Sequence, residues 1–415
     1  MAQPRVTILG GGLAGLTLGR CLLQKGIPSV IYDSRPKGAP TRSVFLEPGT
    51  YRPLLKVLNI EATEFKRTFG IDIHGRDRTD ALQASSATTE SWLHVSRTDL
   101  ERALRKSDGL ELEERSEHRL IRATPSQEPS QAAPALDLEF ANHHKLRSTL
   151  VIDALGTHSA LREALLPGIY TLVVEPYAVY NHKKHVEQAD YQSKFLTLLN
   201  GSTTWTHQPG NPSEPRVHVK LEDHLPSSGS GKPVRMSYTY SRPARVSDND
   251  DPLYKPNRSK SEADNISPEY YKEIDELASV EPIKSNAAIR QLLGQDESAK
   301  EEPKGAIKNW LMRTLIVSKQ DLLKLLRQYS VAMIGDSVHT TPILGGSGAN
   351  MAVNDAIELA DVIAKHWKSG NITTGVSEFY ETKWDEWNNA VQESKWELAA
   401  LHQPVQPQQT TGAKI

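Results

Sequence analysis

Only one of the 415 residues is cysteine, Cys21. A single thiol cannot close an internal disulfide, so the fold must hold together without cross-links and no oxidising compartment is called for. Cys21 reads as a small buried residue on a helix face. Long apolar runs are also missing, and nothing approaches the roughly 18 residues a membrane-spanning helix needs. Excess charge of one sign is absent: 49 basic and 51 acidic residues leave a net charge of −2. Bulk electrostatics therefore gives no case for nucleic acid or anionic lipid as a partner. No basic-then-apolar leader opens the chain, and no internal repeat organises it. What remains is 38% apolar and 24% charged, the composition of a cytoplasmic globular protein with two domains or one domain and a second lobe.

Glycine is concentrated where it costs most. The stretch VTILGGGLAGLTLGRCLLQKGIPSVIYDSR begins at Val6. Arg5–Leu9 reads as a buried strand, Leu13–Lys25 as a helix stopped by Gly26, and Ser29–Tyr32 as a second strand. Together they form a β-α-β unit of about 30 residues with a parallel crossover. Between strand and helix lie Gly10, Gly12 and Gly15. The first permits a tight turn, the second lets backbone approach a pyrophosphate, and the third lets helix and strand pack closely. The helix start, with Leu13 and Ala14, offers unpaired N–H groups and partial positive charge to phosphate. Asp33 follows the second strand, where its carboxylate can take ribose hydroxyls and would repel a 2′-phosphate. The nucleotide is thus an ADP unit such as that of FAD or NAD, and not NADP.

A second glycine-rich turn separates these cofactors. In MIGDSVHTTPILGGSGANMAVNDAIELADVI (333–363) a strand ends in Gly335-Asp336, and Gly345, Gly346 and Gly348 lead into a helix beginning near Ala349 and Asn350. A simple nicotinamide dehydrogenase has no use for this second site, whereas an extended cofactor does. Asp336 can accept from ribityl hydroxyls, and the second helix start would stabilise negative charge on the flavin N1/O2 edge. Both turns must then open on one continuous groove.

With Gly335-Asp336, His339, Pro342 and Gly346-Ser347-Gly348-Ala349-Asn350 in this order, the chain resembles the group A FAD-dependent monooxygenases. This is the family of para-hydroxybenzoate hydroxylase and the tetracycline-inactivating monooxygenases. Within VSRTDLERAL, Arg97 matches the family's cofactor-proximal arginine. The resemblance covers the first 60 residues, roughly 92–165, and 330–400. It implies an α/β fold: a Rossmann-like FAD-binding domain of the GR2 type, an inserted mostly antiparallel β substrate lobe, and a C-terminal helix. The expected boundaries are 1–72, 87–167 and 315–375 for the FAD-binding domain, 73–86 and 168–314 for the substrate domain, 376–402 for the C-terminal helix, and 403–415 for a disordered tail. The resemblance also implies non-covalent FAD, NADPH or NADH as a transient reductant without its own nucleotide domain, and O2. A flavin C4a-hydroperoxide would then oxygenate an aromatic or polyketide-like small molecule, with the cofactor carrying the hard chemistry.

Two departures stand out. The family's second fingerprint carries an Asp where ALGTHSALR (154–162) has Leu155. The loop after Asp33 lacks a double glycine, leaving Arg42 and Val44 as candidates beside the ring. Leu155 keeps open an FAD enzyme without monooxygenation, such as a dehydrogenase or a cyclase using FAD as scaffold. A non-catalytic binding protein on the same fold is a further alternative. A halogenase is disfavoured because KWDEWNN has the wrong tryptophan spacing. No catalytic base stands out: His339 reads as a base or as a structural donor. Tyr238 and Tyr240, with Val234 and Met236, share one strand face that either lines an apolar pocket or packs as core. Trp384, Trp387 and Trp396 are spaced for packing on the first domain. The terminal Ala-Lys-Ile is a relaxed form of a peroxisomal address.

Overall fold

The structure, a computed structural model, describes residues 5–39, 41–72, 92–126, 134–208, 210–211, 214–227, 230–245, 251–259, 261–294, 305–345 and 347–403. Gly346, the segment 73–86 and the terminal Ala-Lys-Ile lie outside the described residues. The chain divides into two compact units, Met1–Val173 with Arg313–Lys395, and Val174–Met312 with Trp396–Ile415. None of the helices among the described residues is long and apolar enough to cross a membrane.

The first unit is built on a five-stranded parallel sheet. Its order is Val331–Met333, Val151–Asp153, Val6–Leu9, Ser29–Tyr32 and Glu114–Arg115. All four residues of Val6–Leu9 are buried, as expected of a strand covered on both faces. The crossover helix runs Leu13–Gln24. Its buried side carries Leu16, Leu18 and Leu22, together with Cys21, whose thiol burial pushes up to about 12. A thiol so raised is inert at neutral pH. The helix Ser347–Trp367 and the long helix Ile372–Ala400, as far as Lys395, complete this unit's described C-terminal part.

The three tryptophans part company along that last helix. Trp387 is fully buried, and Trp384 donates to Val317 O at 2.9 Å. Trp396 is 78% exposed, so packing on the first domain does not extend to it. The helix turns the ring outward beyond the point where the core of the first unit ends.

The second unit holds a five-stranded antiparallel sheet, ordered Thr204–His207, Arg216–Leu221, Val234–Pro243, Tyr177–Val186 and Ile307–Trp310. The strands Arg216–Leu221 and Val234–Pro243 pair directly, with Val219 opposite Tyr238. The face carrying Val234, Met236, Tyr238 and Tyr240 is core rather than pocket. Tyr238 Oη lies 3.0 Å from Tyr270 Oη, and Tyr240 donates to Glu273, both on the helix Pro268–Ala278. Leu253 is fully buried, and Asp251 accepts from Arg242 at 2.8 Å, while 247–250 and 260 lie outside the described residues.

Candidate active site

At the first glycine turn three glycines do three different things. Gly10 has φ +108°, and a Cβ there would lie 2.2 Å from Ala154 O. At Gly15 a Cβ would lie 1.9 Å from Gly10 O. Both contacts are impossible, so these positions admit no side chain without moving backbone. A Cβ on Gly12 would meet only Arg97 Nη2, at 3.8 Å. This is the cradle a phosphate needs: closed behind and bare in front. The helix has no side-chain cap, and its first backbone bond runs from Leu16 N–H to Gly12 O. The N–H groups of Leu13, Ala14 and Gly15 therefore have no intrahelical acceptor.

Asp33 is buried at the end of the second strand. It accepts from Gly11 N–H at 2.5 Å and from Arg35 N–H at 2.6 Å. Arg35 returns to Gly11 O at 2.8 Å. The carboxylate thus shapes the turn, and Arg35 Nε and Nη2 also donate to it at 3.3 and 3.4 Å. Behind it runs a charge network: Arg97 Nε to Glu101 at 2.7 Å, Glu101 to Arg105 at 3.5 Å, and Arg105 to Glu114 at 2.9 Å. Arg97 opens the helix Arg97–Arg105, which Ser96 caps by accepting from Asp99 N–H.

The second turn packs directly on the first. A Cβ on Gly335, φ +61°, would lie 3.1 Å from Ala352 Cβ and 3.5 Å from Ala14 Cβ. Asp336 follows, with Thr157 Oγ1 donating to it at 3.2 Å. Burial raises the Asp336 carboxyl above its ordinary range, while His339, Thr157 and Arg97 draw it back down. Gly348 stands close by, its Cβ position 3.4 Å from Asp336 Oδ1 and 3.0 Å from Thr341 Oγ1. The turns that open distant parts of the sequence are therefore neighbours, and Arg97 acts on both.

Asp355 holds the second turn. It accepts from Gly335 N–H at 3.0 Å and from Trp387 Nε1–H at 2.8 Å, and it pairs with His339 Nε2 at 2.6 Å. His339 is fully buried and stacks on Trp387. This is the structural donor and not an accessible base. Motif spacing points to neither Asp355 nor Arg35. For Asp355 a signal existed: it shares the buried face of its helix with Ala352, Val353, Ala356 and Leu359, and a carboxylate on such a face must have partners.

The departure at Leu155 is local. Leu155 packs against the core and donates its N–H to Asp153 Oδ1 at 3.0 Å. Ser159 donates to the other oxygen of Asp153. Burial pushes the Asp153 carboxyl up to about 6, against the pull of these donors and of Arg162. Arg162 clamps the stretch to the second turn, donating to Ser337 O and Thr157 O at 2.7 Å each.

Asn350 is spent inward. Its amide accepts from Glu47 N–H at 3.0 Å and donates to Phe45 O at 3.1 Å, which pins the strand Val44–Leu46 to the helix start. Val44 pairs with Val95, and Ala349 packs against the core.

A family profile described as an FAD binding domain matches residues 3–171 and 286–383. The chain belongs to this FAD-binding family of flavin-dependent monooxygenases. The FAD-dependent monooxygenase nscC of Neosartorya fischeri is 28% identical over 424 residues, covering 98% of this chain and 97% of that one. The FAD-dependent monooxygenase aptC of Emericella nidulans is 27% identical over 425 residues, 96% of each chain. Among solved structures, CtdE in complex with FAD and substrate 4 shares the fold with TM-score 0.67 at 16% identity, over 96% of this chain and 90% of that one. HpxO of Klebsiella pneumoniae, complexed with FAD and uric acid, gives 0.64 at 17%, over 97% and 89%. The protein is an enzyme, its cofactor is FAD, and the resemblance drawn from the two turns stands.

Proposed function

We propose that one FAD lies across the two turns and that the enzyme oxygenates an aromatic or polyketide-like small molecule, using O2 and NADPH or NADH. The observation that carries this reading is the approach of Gly335 to Ala14. It sets the half-buried Asp336 and the start of the helix Ser347–Trp367 beside the open helix start at Gly12. Backbone N–H groups of Leu13, Ala14 and Gly15 would hold the pyrophosphate, Asp33 the adenosine ribose, and Asp336 the ribityl chain. Gly348, Ala349 and the backbone of Asn350 would face the ring, with Arg97 bridging the two ends. Bound FAD supplies the activation of O2 and the transfer of one oxygen atom to substrate. The protein's part is positioning: Asp355 fixes the second turn, Gly10 and Gly15 fix the first, and Asp336 offers its carboxyl oxygens beside them.

The test is anaerobic reduction of the holoenzyme by NADPH or NADH, followed by 18O2 and mass spectrometry of the product. One labelled oxygen per product is the expected result. Product without label would sink the oxygen-transfer reading. It would favour the second reading, an FAD enzyme without monooxygenation, for which Leu155 at the usual Asp position speaks.

A further inference from the structure

One buried acid beside the first turn holds two arginines. Arg97, Glu101 and Arg105 follow one another at four-residue steps along the helix Arg97–Arg105, so they share a face. Glu101 is 2% exposed. A carboxylate so enclosed is costly unless its oxygens find donors. They do: Oε1 accepts from Arg97 Nε at 2.7 Å, and Oε2 lies 3.5 Å from Arg105 Nη1.

The two arginines have different tasks. Arg105 is committed to the protein itself. Its Nε donates to Glu114 Oε2 at 2.9 Å and its Nη2 to Gly11 O at 3.4 Å, the carbonyl that Arg35 also reaches at 2.8 Å. Arg97 keeps 31% of its side chain exposed. Its Nη2 stands 3.8 Å from the position a Cβ would take on Gly12, which is where bare backbone lets a phosphate approach. Gripping the guanidinium by Nε sets its plane and leaves the Nη2 edge turned toward that place. An arginine without such a grip samples many rotamers, and a ligand that must order it loses affinity in doing so.

We propose that Glu101 is a positioning residue, which holds Arg97 by Nε so that Nη2 is directed at the pyrophosphate before FAD arrives. This rests on the reading that one FAD lies across the two turns, and it deepens that reading. Arg97 meets the phosphate through charge-assisted hydrogen bonds, and Glu101 acts only through Arg97.

The test is a double-mutant cycle on FAD affinity, read by calorimetric titration of FAD into the full-length apo-protein, with Arg97→Leu, Glu101→Leu and the double variant. Leucine fills the buried Glu101 position, and an apolar side chain of similar volume in place of a buried ionic one is often neutral for stability. Arg105 keeps Glu114 in every variant. Glu101→Leu is expected to weaken FAD binding by about tenfold, because the ordering of one arginine passes to the binding step. In the Arg97→Leu background the same substitution is expected to have no further effect. Glu101→Gln still offers an oxygen to Arg97 Nε and is expected to recover part of the loss. A merely structural Glu101 would lower stability in denaturant and weaken FAD binding equally with Arg97 present or absent. Such additive effects, or undiminished affinity in Glu101→Leu, overturn the proposal. If Glu101→Leu does not fold, Glu101→Gln replaces it in the cycle and the same outcomes decide. A wild-type chain that ignores FAD, or an Arg97→Leu chain of undiminished affinity, would instead break the reading on which the proposal rests.

Discussion

At the first glycine turn the path of the backbone is set by side chains that are missing. At the second it is set by a carboxylate. Gly10 leaves room for Ala154 O and Gly15 for Gly10 O, while Asp33 takes the Gly11 N–H. Around Gly335 the backbone is held by Asp355, which gathers a main-chain N–H, an imidazole and an indole. The first arrangement excludes atoms and tolerates almost no substitution. The second adds atoms, and it depends on every donor around Asp355 staying paired. Two physical devices thus deliver the same product, bare backbone beside an acid.

Asp355→Ala is the most damaging way to break that comparison. It strands three buried donors and should cost about 4 kcal/mol in denaturant unfolding, at about 1–3 kcal/mol per orphaned group partly relieved by relaxation. A loss below about 1 kcal/mol would show that the second turn does not depend on its carboxylate. Gly15→Ala attacks the first turn. Its Cβ collides with Gly10 O, and the forced shift should cost about 3 kcal/mol and release flavin. A variant of normal stability that stays yellow would deny the steric account.

Asp153, beneath the first turn, sharpens the comparison through pH. Its carboxyl is raised to about 6 from an ordinary 3.8, so the folded chain holds a proton that the unfolded chain has lost. Its contribution is fully present below about pH 4 and disappears as pH rises through about 6. Relative to Asp153→Asn, the wild type should lose roughly 2 to 3 kcal/mol between those limits, at about 1.4 kcal/mol per pKa unit. Parallel stability curves for the two chains would contradict this. The smallest stability effect belongs to Gly12→Ala, whose Cβ meets nothing closer than 3.8 Å. Stability should change by less than about 1 kcal/mol, while FAD affinity falls because the methyl stands where phosphate must approach.

The first turn was legible because its requirement is negative: glycines at fixed spacing between a strand and a helix weaken both, and only a need for bare backbone offsets that cost. The strand ends, Asp33 and Asp336 followed from the same register. The second turn's support was not legible, since Asp355 in an acidic helix reads as a surface charge until its neighbours on the buried face are counted. The face of Tyr238 and Tyr240 could not be assigned from alternation alone, because period two says which residues share a face and not what covers it. Trp396 misled for a similar reason: helical spacing does not reveal where the surface it packs on comes to an end.

The claim on which the account depends is that both turns serve one FAD. Calorimetric titration of FAD into apo-protein tests it, with wild type, Gly12→Ala and Asp336→Ala run side by side. The account predicts one FAD per chain and a weakening of that single binding event, by about tenfold or more, in each variant. A chain that ignores FAD, or an Asp336→Ala variant that binds it with undiminished affinity, would contradict the account.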